Sequence, residues 1–520
     1  MKSRVYPFAS FGLLLGLLVG CSGQPPQPTA EPEPPADVVE PLATPDDDPA
    51  TTDLEESLQV PDTTIVEEEI TPEDALEAES NMVVEPPTLT PPEATDPPES
   101  AVIEQELAPQ VTEPRQPVDL TESEAPYWPR FHGPTGDNLS PDTGLMKQWP
   151  DDGPPLEWTA EGIGNGYSSV SLAHGLIYTA GNLDGMTVIS AIDLDGQIRW
   201  QVENGQAWEA SYAGTRGTPT IDGDRLYHQS PLGNLICIVA TTGEPVWAMN
   251  TLEAFDAENI TWALAESLLI DGDHVITSPG GNLASMAALN KHTGEIVWIT
   301  EPTGDQAGYA SPVLVEHEGL RIIVTMNAKA VIGVDADSGR LLFRDPWETE
   351  HYVNAFMPLF HDGRVFVSTG YGGIGSRLLQ LEVSGPTVSV RHVWESDELD
   401  NQHGGVILVD GYLYGSAHQF SGARWVCLDW ETGELQWGER GVGRGSLTYA
   451  DGMLYLFSER SRVGLARATP DEFELISEFR LPPGGQGASW AHPVVIGGRL
   501  YLRYDDRLLA YRVRAEENGG

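Results

Sequence analysis

Between residues 174 and 501 short apolar runs each follow a two-residue turn, the pattern of a hairpin rather than a helix. The turns and runs are His174-Gly175 before Leu176-Ile177-Tyr178, Asp222-Gly223 before Leu226-Tyr227 and Asp271-Gly272 before Val275-Ile276. Glu318-Gly319, Asp362-Gly363, Asp410-Gly411, Asp451-Gly452 and Gly497-Gly498 complete a set of eight. Between successive hairpins lies a second motif, a turn that leads into an aromatic residue. It reads Thr242-Gly243-Glu244-Pro245-Val246-Trp247, then Thr293-Gly294-Glu295-Ile296-Val297-Trp298, and later Thr432-Gly433-Glu434-Leu435-Gln436-Trp437. The aromatics Trp200, Trp247, Trp298, Phe343, Trp394, Trp437 and Phe479 are spaced by 47, 51, 45, 51, 43 and 42 residues. A period of that length with four strands in it is one propeller blade. The aspartates of the hairpin turns are therefore turn formers rather than catalysts.

Eight hairpins with seven downstream aromatics leave the last blade without an outer strand. Pro155-Leu156-Glu157-Trp158, 42 residues before Trp200, supplies one from the N-terminal side. The expectation is an all-β, eight-bladed propeller over 154–513, closed by pairing an N-terminal strand with three C-terminal ones, which removes open sheet edges at the join. The aromatics Trp158, Trp200, Trp247, Trp298, Phe343, Trp394, Trp437 and Phe479 are read as residues that dock one blade on another. Cys237 and Cys427 fall at equivalent third-strand positions of blades 2 and 6. Those blades face each other across the ring, too far apart for a disulfide, so two buried free thiols are expected.

The rest of the chain is of a different kind. Residues 22–125 hold 28 acids, one base (Arg115), 20 of the 41 prolines and no aromatic residue. Such a segment lacks the apolar side chains needed to offset chain entropy, and it reads as a disordered acidic tether whose function is reach. The formal net charge of −51 argues against nucleic-acid binding, which needs a basic face. At the start, Lys2 and Arg4 precede an apolar run, Phe8–Val19, that is too short to span a bilayer and ends in Leu18-Val19-Gly20-Cys21. This resembles a bacterial lipobox: residues 1–20 would be a signal peptide and Cys21 an acylated membrane anchor. Residues 126–153 form a leader before the propeller, and 514–520 a short tail.

The Thr-Gly-x-x-x-Trp motif with the Asp-Gly-Arg-Leu-Tyr type of hairpin resembles the pyrroloquinoline-quinone (PQQ)-like repeat. With the lipobox it is similar to the BamB-type lipoproteins of outer-membrane protein assembly, and Tyr127-Trp128-Pro129-Arg130-Phe131-His132-Gly133-Pro134 resembles a segment that precedes propellers in such envelope proteins. The resemblance implies a non-enzymatic scaffold or protein-interaction module. It would be a monomeric propeller on an outer-membrane lipoprotein facing the periplasm, with envelope proteins or peptide segments as partners and no cofactor.

The alternative within the same family is a PQQ-dependent dehydrogenase oxidising alcohols or sugars with PQQ and calcium. No adjacent cysteine pair and no Cys-x-x-Cys-His haem motif supports it. The carboxylates open to recruitment, Asp184, Asp256, Glu209 and Glu266, show no selecting pattern. Candidate binding residues are those where each blade begins, around the channel: Arg216, Tyr309, His403, Arg444, Trp490 and His492, with Tyr167, Trp262 and Asn354. No metal is expected, because His228, His403, His418 and His492 have no ligand spacing.

Overall fold

In the computed structural model, which describes residues 125–418 and 422–516, each of the eight turns closes a hairpin between the two innermost strands of a sheet. The signal peptide expected over 1–20, the expected anchor Cys21 and the expected tether up to Glu124 lie outside the described residues. Asp362-Gly363, Asp410-Gly411 and Asp451-Gly452 have positive φ at both positions, the type I′ geometry that suits twisted strands. In blades 2 and 3 the aspartate stays in the strand, and Gly223 and Gly272 take the first turn position.

Eight antiparallel sheets result, one per blade, in the all-β eight-bladed propeller expected from the repeat. Blades 1 to 7 occupy residues 171–206, 220–250, 269–300, 313–346, 359–396, 406–439 and 445–480. Blade 8 takes three strands from 494–512 and its outer strand from Leu156–Glu161, which pairs antiparallel with Arg507–Arg512 and sets Trp158 opposite Ala510.

The aromatic at the end of each period shows how neighbouring blades meet. In seven blades the outer strand bulges at the residue just before that aromatic, as between Pro245 and Trp247, so that the ring turns out of the sheet. Trp158, Trp247, Trp298, Trp394 and Trp437 then donate their indole N–H to carbonyls of Leu194, Lys291, Ala336, Trp430 and Thr469, each in the following blade. Four of those rings, and that of Trp200, lie over the turn glycine of the next blade. A Cβ added at Gly196, Gly243, Gly294, Gly339 or Gly433 would stand 2.5 to 3.0 Å from ring carbons, closer than carbon atoms approach without displacement. Phe343 packs in the core shared with blade 5, and Phe479 is met by Gly153 of the leader, which stands where the other blades have their turn glycine.

Cys237 and Cys427 are free and buried, each directly opposite its blade's tryptophan. Burial pushes their thiols up, to about 11 and about 12.

The leader goes further than its sequence indicates: it enters the ring. Trp128, 1% exposed, exchanges backbone hydrogen bonds with Leu172 on the innermost strand of blade 1, and Pro129 accepts from Ile221 N–H of blade 2. Asn138 donates to Leu447 O, and Leu139–Ser140 runs parallel to Tyr449–Ala450 on the innermost strand of blade 7. The segment then leaves between blades 7 and 8, where Trp149 packs against Tyr455 and Phe479 and feeds the outer strand of blade 8. Thus the stretch from Trp128 to Ser140 lies against the innermost strands at the hairpin-turn end of the channel.

Trp298→Ala is expected to cost about 3–5 kcal/mol of unfolding free energy, the usual range for deleting a large buried ring. Gly339→Ala should also destabilise, and by less when Trp298 is already alanine, because the ring is what the added methyl strikes. Urea unfolding of the two single variants and the double variant measures the coupling; additivity would show that the contact does not matter.

Candidate functional site

The strand-entry end of the channel is ringed by loops that lead into the first strand of each blade. Sequence reasoning could place residues there by counting back from the hairpins, and two of its candidates, Tyr167 and His403, meet at the indole of a third, Trp490, with Arg216 and Arg444 one contact further out. Trp490 has Tyr167 at 4.8 Å and His403 at 5.2 Å between ring centroids, and Tyr212 at 5.3 Å. Arg216 lies over the Tyr167 ring, 5.5 Å from its centroid, and donates to the carbonyls of Gly214 at 2.9 Å and Tyr212 at 2.6 Å. Arg444 Nε donates to Glu459 Oε2 at 2.8 Å, and His403 Nε2 stands 3.5 Å from Glu459 Oε1.

This arrangement sets the electrostatics of the mouth. Burial lowers the affinity of Arg216 for its proton and raises the phenols of Tyr167, Tyr309 and Tyr371. Burial alone would raise the Glu459 carboxyl as well, but His403 and the Arg444 guanidinium outweigh it and hold the group down at about 2. Tyr309 hydroxyl accepts from the backbone N–H of Trp262 at 3.3 Å, and its ring packs with the Trp262 indole and Val353 in a neighbouring apolar cluster.

Two candidates are structural. Asn354 is fully buried and donates to Asn327 O and Ala328 O, holding the loop before blade 5. His492 lies beneath the mouth: its Nε2–H donates to His403 O at 2.7 Å, so its Nδ1 accepts from Nε2–H of His132 of the leader at 3.1 Å. Burial lowers both imidazoles, His492 to about 4, so the pair is neutral and one ring donates to the other.

The histidines do not gather into a metal centre. His228 is held apart by Asn204 Nδ2 at 2.9 Å, and among the described residues no group of three His, Cys, Asp or Glu side chains is arranged to hold a metal ion. Nor do the carboxylates converge. Glu266 is buried and hydrogen-bonded by Gln229, Thr277 and Ser278 N–H between blades 2 and 3, and burial raises it, while Asp184, Glu209 and Asp256 are exposed.

Glu459, Tyr212 and Tyr371 were not found from the sequence, since they sit in irregular loops with no motif. Arg503 was missed too. It is 1% exposed and donates through Nη2 to Gly164 O at 2.7 Å and through Nη1 to Thr179 Oγ1 and Ala180 O of blade 1. Its signal was an arginine set among alternating apolar residues, Leu500-Tyr501-Leu502-Arg503.

A repeat propeller whose channel is filled by its own leader at one end and its own aromatic and ionic groups at the other is the class these features define. Residues 185–439 match the PQQ-like repeat family model described as "Outer membrane protein assembly factor BamB". No curated protein matches the chain. Among solved structures, BamB from Moraxella catarrhalis is 16% identical with a TM-score of 0.49, over 69% of this chain and 99% of that one. The quinohemoprotein alcohol dehydrogenase from Comamonas testosteroni is 12% identical with a TM-score of 0.53, over 76% and 82%. At that identity the second likeness establishes the fold and nothing more.

Because the Glu459 carboxyl is held below its usual value, the stability it contributes is complete above the ordinary carboxylate range, near 4.5, and fades as the pH falls towards about 2. Thermal melts of Glu459→Gln against the unaltered chain should differ at pH 6 and converge as the solution is acidified. A difference that stays constant over that interval would count against the ion pair.

Proposed function

We propose that this protein is a lipid-anchored, non-enzymatic scaffold of the cell envelope that takes part in outer-membrane protein assembly. In this reading residues 1–20 are removed, Cys21 holds the chain in the outer membrane, and the acidic tether of 21–125 presents a monomeric propeller in the periplasm. Its partners are envelope proteins or their extended segments. The description of the family matched by 185–439 supports the assembly role.

The observation that carries the reading is that the channel mouth is already filled by its own side chains. A PQQ molecule with its calcium needs a free aromatic face and free carboxylate oxygens. Here the Trp490 indole is surrounded by Tyr167, Tyr212 and His403, and the two Glu459 oxygens face Arg444 and His403. The residues present do not fit the cofactor, and what is left for partners is the rim and the loops of the ring.

Titration of the full chain with PQQ and calcium, following tryptophan fluorescence and dye-linked oxidation of an alcohol panel, is expected to give neither saturable quenching nor turnover. Saturation with turnover would replace the scaffold by an enzyme. The anchor is tested separately: Cys21→Ser should move the protein from the membrane fraction to the soluble periplasmic one, and retention in the membrane would remove the lipid from the account.

A further inference from the structure

Outer blade strands present unpaired backbone groups to solvent, and such edges are normally blunted by charge or proline. Seven of the eight blades follow that rule. The outer strand Ile198–Gln206 carries Arg199 and Glu203, Pro245–Asn250 begins with proline, and Leu341–Pro346 holds Arg344 and Asp345. Thr387–Ser396 contains Arg391, Leu435–Glu439 ends in Glu439, Leu475–Arg480 has Glu478, and Leu156–Glu161 has Glu157.

The outer strand of blade 3, Ile296–Thr300, has none of these devices: it reads Ile-Val-Trp-Ile-Thr. It is last in its sheet and pairs only with Met286–Asn290. Its tryptophan turns inward to blade 4, while Ile296, Val297 and Ile299 are 52%, 48% and 45% exposed. Val297 sits at the bulge, which turns a further branched side chain out to solvent. Five residues that are β-branched or aromatic and uncharged, three of them exposed, form along this edge a template for another strand.

The flanking charges state what kind of strand fits. Glu295 and Glu301 bracket the segment, both exposed, and neither takes part in an ion pair among the described residues. A second copy of this chain is the wrong occupant, because pairing the edge with itself in either direction brings glutamate against glutamate in a protein already carrying −51.

We propose that the free edge of Ile296–Thr300 is a β-augmentation site for a partner segment of alternating branched apolar residues with lysine or arginine at both ends. The proposal rests on the scaffold reading and deepens it by naming the partner's chemistry. Backbone pairing supplies affinity, the exposed Ile296, Val297 and Ile299 supply apolar contact, and the two carboxylates select the basic flanks.

The test is fluorescence anisotropy of a short synthetic peptide of alternating valine and threonine with a lysine pair at each end, titrated with the full chain. Saturable binding is expected, weakened by roughly tenfold or more when the flanking lysines are replaced by glutamates or when the edge carries Ile299→Lys, and fading as salt screens the flanks. Leu435→Lys on blade 6 should leave it unchanged, and thermal melts of both variants check that the ring is intact. Two further variants, Glu295→Gln and Glu301→Gln, should narrow the gap between the two peptides. Equal binding by wild type and Ile299→Lys, or equal loss in Leu435→Lys, would overturn the assignment. So would a concentration-dependent dimer that Ile299→Lys abolishes, which would make a second copy the occupant. No binding at all would sink the edge site while leaving the scaffold reading to stand or fall on the cofactor titration.

Discussion

The contact of a tryptophan face with a glycine turn of the next blade is the constraint on which the ring depends. A four-stranded blade has two apolar faces and cannot bury either one alone, so each must meet a neighbour across an interface that widens towards the rim. A large ring turned out of the outer strand by a bulge fills that widening wedge. The turn beneath it must then be glycine, since at Gly339 an added Cβ would stand 2.5 Å from the Trp298 ring. The indole N–H bonded to a carbonyl in the same turn fixes the angle as well as the distance. Blades 1, 2, 3, 4 and 6 are positioned in this way by the blade before them, and because the ring closes, the last blade and the first must be fastened to each other as well. The chain meets that demand twice: Trp158 reaches Leu194 in blade 1 from a strand grafted onto blade 8, and Arg503 of blade 8 reaches the carbonyl of Gly164 before blade 1.

This constraint also explains what was legible in the sequence. Hairpin turns and docking aromatics are written locally, within a few residues, and repeat at the blade period, so the count of eight and the strand donated by Leu156–Glu161 could be read directly. The leader has no such period. Its contacts are with residues hundreds of positions away, His132 with His492 and Asn138 with Leu447. Nothing in Tyr127-Trp128-Pro129-Arg130 says that it will lie inside the ring, although its buried tryptophan is as much a part of the core as any in the repeats. At the channel mouth the residues that begin each blade could be counted out, but not their mates. Glu459 holds Arg444 from a turn after the second strand of blade 7, and Tyr212 meets Trp490 from a loop between blades 1 and 2; their identities follow from no spacing.

Burial and pairing together account for the lack of an acidic surplus at the axis of so acidic a molecule. The propeller has twice as many acids as bases, yet the mouth gathers Arg216, Arg444 and one carboxylate, and below it two histidines kept uncharged by burial. Arg216 is held by carbonyls and a tyrosine face rather than by an acid, an arrangement that keeps a cation in place without attracting a metal ion. The surplus of negative charge is left to the outside, where it keeps the surface soluble and repels copies of itself.

A ring filled along its axis and repellent over its surface has its usable chemistry at the rim. Docking consumes the inward side of each outer strand, since the tryptophan or phenylalanine there belongs to the next blade. The outward edge is bound by no such requirement. It can be protected, as it is in seven blades, or left open without cost to the fold, as in Ile296–Thr300. An unprotected edge exposes the molecule to misassociation, and in a four-stranded sheet whose seven counterparts are all guarded it is the position where binding, rather than folding, accounts for the residues chosen.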